Sequence, residues 1–174
     1  MKELRRSIII FALFSLLACS AAIVNTAMAQ DAPVILTGAQ LTRVVPPGFY
    51  FEGQSAPTQV RNAAAARIGS NRHIIAGMVD TSGYSADIRA KYEGFFITDS
   101  PLTVGGRELG VGAYGFGFTD DGKLNLFDVS GKQLLSVDTT QDKNLRRPRP
   151  LTMVKASDGV RFYSGKNYAV IAAR

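Results

Sequence analysis

The chain has 174 residues, of which 46% are hydrophobic and 20% charged, and 20 Lys and Arg against 14 Asp and Glu give a formal net charge of +6. One cysteine and one histidine exclude a disulfide framework and any site built from several thiols or imidazoles. The length suits one ordinary domain, and the mild basicity favours anionic lipid heads or acidic glycans without identifying either.

In chain order, Lys2, Arg5 and Arg6 form a short basic stretch, and Ile8 to Leu17 is apolar apart from Ser15. Small residues follow, and Ala27, Met28 and Ala29 read as an A-x-A cleavage site before Gln30. That order predicts a secretory signal peptide over residues 1–29. A membrane span needs about 20 apolar residues, a length that Ile8 to Val24 approaches only by counting Ser15 and Ser20. Arg5 and Arg6 match a twin-arginine signal poorly, with Leu4 before them and Ser7 after. The sharper alternative is Leu16, Leu17, Ala18 and Cys19, which resemble a lipobox; residues 1–18 would then be a lipoprotein signal and Cys19 would be acylated. The expected location is periplasmic or secreted, or membrane-tethered if Cys19 carries lipid.

Residues 30–174 are expected to form a single β-rich domain. Val34 to Leu36 and Gln40 to Val45 read as a first strand or pair of strands, stopped by Pro46, Pro47 and Gly48. Phe49 to Glu52 is short and aromatic. Strands are then predicted at 74–79, 94–98, 113–119, 124–129, 133–137, 151–155, 160–163 and 168–172, where β-branched and aromatic residues alternate with polar ones. Turns at Asp120 to Gly122, Val129 to Gly131, Ser157 to Gly159 and Ser164 to Asn167 make the chain from Ala113 onward an antiparallel meander. Two stretches break the pattern. Pro57 to Ile68, with Ala63 to Ala66 and Val60, Ala64 and Ile68 four apart, predicts a short helix. Tyr84, Ile88 and Tyr92 predict a helical turn or two, with Asp87 and Lys91 placed to pair. Strands with apolar faces need cover or closure. The fold class expected is therefore all-β: a single-domain antiparallel β-barrel or barrel-like sandwich with one or two short helical segments.

Gly110, Gly112 and Gly115 spell G-x-G-x-x-G, but the segment runs into Phe118 and a turn, leaving no helix N-terminus to hold a pyrophosphate. No cofactor is expected. In a strand, Tyr114, Phe116 and Phe118 share one face while Gly115 and Gly117 lie on the other. The rings then either fill the core, with the glycines admitting a close neighbour, or line a small-molecule pocket; packing carries the greater weight. Lys143 to Pro150 is the densest charge cluster, and Pro148 and Pro150 hold Arg146, Arg147 and Arg149 in extended geometry. Their guanidinium groups suit carboxylates and phosphates, against the plainer reading of a solvated loop. Nucleic acid is not expected, since no aromatic side chains interleave with these arginines.

Catalytic signals are thin. A triad assembled from Ser70, His73 and Asp80 has no nucleophile-elbow pattern behind it. Asp80, Asp87, Glu93 and Asp99 make no dense ligand set, so no metal is expected. Asp120 and Asp121 belong to a turn.

Four blocks together, Gly53 to Asn62, Val79 to Asp87, Gly112 to Phe118 and Tyr163 to Tyr168, resemble a family of small exported bacterial β-rich proteins with no assigned function. Gly106, Leu109, Gly112 and Tyr114 are similar to a strand-entry pattern, G-x-x-L-x-x-G-x-Y, of exported β-sandwich domains. Neither resemblance implies a catalytic residue. The expected role is that of a non-enzymatic exported envelope protein that binds another envelope component, an anionic one by its charge. The alternatives are a β-barrel carrier of a small apolar ligand and, more remotely, a hydrolase using His73. The candidate binding residues are Tyr114, Phe116, Phe118, Arg146, Arg147 and Arg149.

Overall fold

The structure, a computed structural model, describes residues 32–69 and 71–174. The elements are β1 Val34–Leu36, α1 Gly38–Val44, β2 Gly48–Phe51, β3 Gln54–Ile68, β4 Arg72–Val79, α2 Ala86–Arg89, β5 Gly94–Thr98, β6 Leu102–Val104, β7 Arg107–Leu109, β8 Gly112–Phe118, β9 Lys123–Phe127, β10 Gln133–Asp138, β11 Thr140–Gln141, β12 Arg149–Ala156, β13 Gly159–Gly165 and β14 Asn167–Ala173. They form two antiparallel sheets. The first runs β1-β3-β4-β5-β8-β9-β10, with β2 paired to the start of β3. The second runs β12-β13-β14-β6-β7, with β11 paired to β14. The protein is a barrel-like all-β sandwich with two short helices.

Alternation along the strands decides which side chains meet between the sheets. Ile74, Phe96, Phe116, Leu124 and Leu126 of the first sheet pack with Leu102, Leu151, Met153, Phe162 and Ile171 of the second. The residues that alternate with them on the first sheet are also covered. Phe95 and Phe127 join Phe49, Phe51, Tyr84 and Tyr92 in a second apolar cluster, against which Leu41, Val44 and Ile88 pack. The first sheet is thus buried on both faces at its centre, while β10 at its edge exposes Gln133, Leu134 and Asp138 and the first half of β3 exposes Gln59, Val60 and Arg61.

That double burial accounts for a correction. Pro57 to Ile68 is strand, not helix, and forms the greater part of β3. Ala63 to Ala66 are all buried because β3 pairs with β1 on one side and β4 on the other, while both of its faces are covered. A run of alanines favours a helix by only tenths of a kcal/mol per residue, roughly, and tertiary pairing overrides it. The reverse correction applies to Gln40 to Val45, which lies in α1 and its C-cap. Leu41 and Val44 are three apart and meet the outer cluster together, a spacing that six residues do not separate from strand alternation.

The helical turn between Tyr84 and Tyr92 is α2, capped by Ser85, whose hydroxyl accepts from the Ile88 amide at 3.4 Å. The expected Asp87–Lys91 pair is absent among the described residues; Lys91 Nζ reaches Glu52 Oε1 at 2.6 Å instead. The chain after Ala113 is also not one meander. It makes β8-β9-β10 in the first sheet, crosses over, and makes β12-β13-β14 in the second.

Candidate functional site

The crossover from β10 to β12 carries Lys143, Arg146 and Arg147 and leads into Arg149. The β13–β14 hairpin turns tightly at Gly165 and Lys166, with Ser164 opposite Asn167 and Gly165 at φ +59°, a conformation glycine adopts without steric cost. β11 pairs with the β14 side of this hairpin, Thr140 opposite Tyr168, while Arg149 at the start of β12 stands opposite Gly165 on β13. The segment between them therefore passes round the hairpin tip. Asp142 fastens it: its amide donates to Lys166 O at 2.9 Å, and its carboxylate accepts from Tyr163 Oη at 3.1 Å and from the Asn144 amide at 3.0 Å. Lys143, Arg146, Arg147, Arg149 and Lys166 are left exposed at one end, and none forms an ion pair among the described residues.

The cross-strand register defines the adjoining outer face of the second sheet. Thr152, Tyr163, Tyr168 and Thr140 stand opposite one another in turn across β12, β13, β14 and β11, a belt of four hydroxyl-bearing side chains. Tyr163 lies beneath the crossover, while Thr152 and Tyr168 are half-buried and Thr140 is exposed. Two residues further along comes a row of Val154, Arg161 and Val170. The Arg161 guanidinium lies 4.7 Å from the centre of the Tyr168 ring, a cation–π distance. Its Nε is buried and has no hydrogen-bond partner among the described residues.

Tyr114, Phe116 and Phe118 share one face of β8, as the alternation predicts, and lie on the other sheet from the arginines. Phe116 is fully buried, with its ring 5.3 Å from Phe162 and 6.1 Å from Phe118. Phe118 in turn stands 5.5 Å from Phe162. Tyr114 is half-buried and donates to Gly110 O at 3.0 Å; burial raises its phenol pKa. Opposite the rings, a Cβ at Gly115 would run into the Phe51 ring, and one at Gly117 into the Lys91 carbonyl. The glycines thus admit close neighbours. β8 leads directly into the hairpin to β9, not into a helix. Beside it, Glu93 Oε2 accepts from the Phe118 amide at 3.2 Å, and burial raises the carboxyl pKa.

His73 has a carboxylate partner other than Asp80. Its Nδ1 is 3.5 Å from Asp99 Oδ2, and its amide donates to Asp99 Oδ1 at 2.8 Å. Asp80 accepts from the Ser82 amide at 3.0 Å, which lowers its pKa. Ser70 and Cys19 lie outside the described residues, as does the whole of 1–29, where the signal peptide is expected. Asp120 and Asp121 are exposed in the β8–β9 turn. Among the described residues, no three His, Cys, Asp or Glu side chains gather as a metal site.

Sequence reasoning missed the junction of the β2–β3 and β9–β10 hairpin tips. Glu52, at φ +45°, donates its amide to Val129 O at 2.8 Å. Tyr50, Glu52, Gly53, Val129 and Ser130 line an open depression of about 450 Å³ there. Behind it, Tyr92 stacks on Phe51 at 4.0 Å and meets Tyr84 edge-on at 5.5 Å; burial raises the Tyr92 phenol pKa. The aromatic run Phe49 to Phe51 ending in Glu52 and Gly53 was the available signal. The hydroxyl belt and Arg161 were also missed, because they assemble only through the register.

Comparison with protein-family models, curated proteins and solved structures finds no match.

Proposed function

We propose that this protein works outside the cytoplasm as a non-catalytic binding module that holds an anionic component of the cell envelope at the basic end of its second sheet. The observation that carries this reading is the convergence of Lys143, Arg146, Arg147, Arg149 and Lys166 on one end without an ion pair among the described residues. A loop whose cations served only solubility needs no anchor, yet this one is fastened by Asp142 to both Tyr163 and Lys166. Arginine suits such contacts, because its planar fork meets carboxylate or phosphate with two bonds and loses less freedom per bond than lysine. The secretory character of the N-terminal segment supplies the compartment.

The test is a variant carrying Arg146→Ala, Arg147→Ala and Arg149→Ala. These exposed positions should leave stability within about 0.5 kcal/mol of wild type. Binding to envelope fractions should fall by at least about tenfold, the equivalent of roughly one lost charge-assisted bond. It should also weaken with salt, as exposed charges are screened beyond about 10 Å at 0.1 M. Unchanged binding by the triple variant contradicts the proposal.

A further inference from the structure

We infer that the anionic partner is an acidic polysaccharide, seated on the outer face of the second sheet from the arginine-bearing crossover to Arg161; this rests on the reading of that end as a binding surface. The cations do not all lie at the hairpin tip. Arg161 stands four residues before Gly165 on β13, about 13 Å along the strand at roughly 3.3 Å per residue. Its guanidinium is held against the Tyr168 ring and beside the Tyr163 hydroxyl, and it forms no ion pair among the described residues. Between the two cationic positions runs the belt of Thr152, Tyr168 and Thr140, with Tyr163 below. The order along the face is therefore cations, hydroxyls, cation.

Each candidate polyanion presents a different surface to this arrangement. A bilayer attracts a cluster of cations and is held by apolar side chains that enter the acyl boundary. The crossover has only Leu145 for that purpose, and it is half-buried. A protein partner needs an apolar centre with large anchoring side chains, whereas the apolar side chains here are Val154 and the half-buried Val170, and the two tyrosines are taken up, Tyr168 under the Arg161 guanidinium and Tyr163 beneath the crossover. A linear polysaccharide bearing carboxylates needs neither. Its acidic groups take the guanidinium forks at each end, and its hydroxyls exchange hydrogen bonds with the threonine and tyrosine hydroxyls between them.

The experiment measures affinity for polygalacturonate, for an uncharged galactan of similar length, and for vesicles containing phosphatidylglycerol. The wild type should bind polygalacturonate and ignore the galactan. Arg161→Gln should weaken that binding by about tenfold, as one lost charge-assisted bond would, and leave vesicle binding unchanged. Thr140→Val with Thr152→Val gives an independent reading that leaves the guanidinium in place, should Arg161→Gln fail to fold; it too should weaken polygalacturonate binding alone. Vesicle binding without polygalacturonate binding overturns the inference. So does polygalacturonate binding that depends on Arg146, Arg147 and Arg149 but is indifferent to both the Arg161 and the threonine variants, a result that leaves the basic end itself as a binding surface. Binding indifferent to the three arginines removes the proposed function and this inference with it.

Discussion

At the centre of the first sheet both faces are covered: Phe96 and Phe116 point to the second sheet, while Phe95 and Phe127 point to the cluster formed with Phe51 and Tyr92. In the second sheet one face is covered, and the other only where the crossover passes over Tyr163. Met153, Phe162 and Ala169 point inward, and their neighbours Thr152, Arg161, Tyr163 and Tyr168 lie on the outer side. The same antiparallel alternation thus yields a buried layer where both sets of side chains are apolar or small, and an outward polar face where one set is polar. The row of hydroxyl and guanidinium groups lies on the second sheet because the first has no free face at its centre.

Substitutions on the two sheets sharpen that contrast. Phe162→Ala, which removes a ring packed against Phe96, Phe116 and Phe118, should cost about 3–5 kcal/mol in urea unfolding. Its neighbour on the opposite face should behave differently: Tyr163→Phe removes the hydroxyl that donates to Asp142 and lies beside the Arg161 guanidinium and should cost about 1–2 kcal/mol. Equal losses from the two variants would break the contrast between core and contact faces.

Glu93 gives the smallest effect and a signed one. Burial raises its carboxyl pKa in the folded state, so its ionised form is the disfavoured one. Its contribution to stability is full below the unfolded value, about 4.3, and is lost as pH rises through the higher folded value. Glu93→Gln keeps an acceptor for the Phe118 amide and removes the charge. It should therefore melt higher than wild type at pH 7 and match it near pH 4. A variant less stable at pH 7 would show that the carboxylate is compensated by partners other than that amide.

The legible part of the sequence was its alternation. β8, β9, β10, β12, β13 and β14 announce themselves through period-two patterns and glycine turns, because each has a face that differs from its opposite or ends in a tight hairpin, and β4 and β5 through runs of β-branched or aromatic residues. β3 did not, since a strand with Ala63 to Ala66 buried on both faces shows no alternation. α1 did not, since two apolar contacts in seven residues fit either period. At the candidate site, Arg146, Arg147 and Arg149 were visible as a charge cluster. Lys166 and Arg161 were not, because only the pairing of β11 with β14 and β12 with β13 carries the crossover to them.

The central claim is that the outer face and basic end of the second sheet make the contact while the first sheet serves as scaffold. Backbone amide chemical shifts recorded during titration with polygalacturonate test it residue by residue. Changes concentrated at Thr140, Lys143 to Arg149, Arg161, Lys166 and Tyr168 are the predicted result. Changes concentrated at the hairpin-tip depression, around Tyr50, Glu52 and Val129, would contradict it.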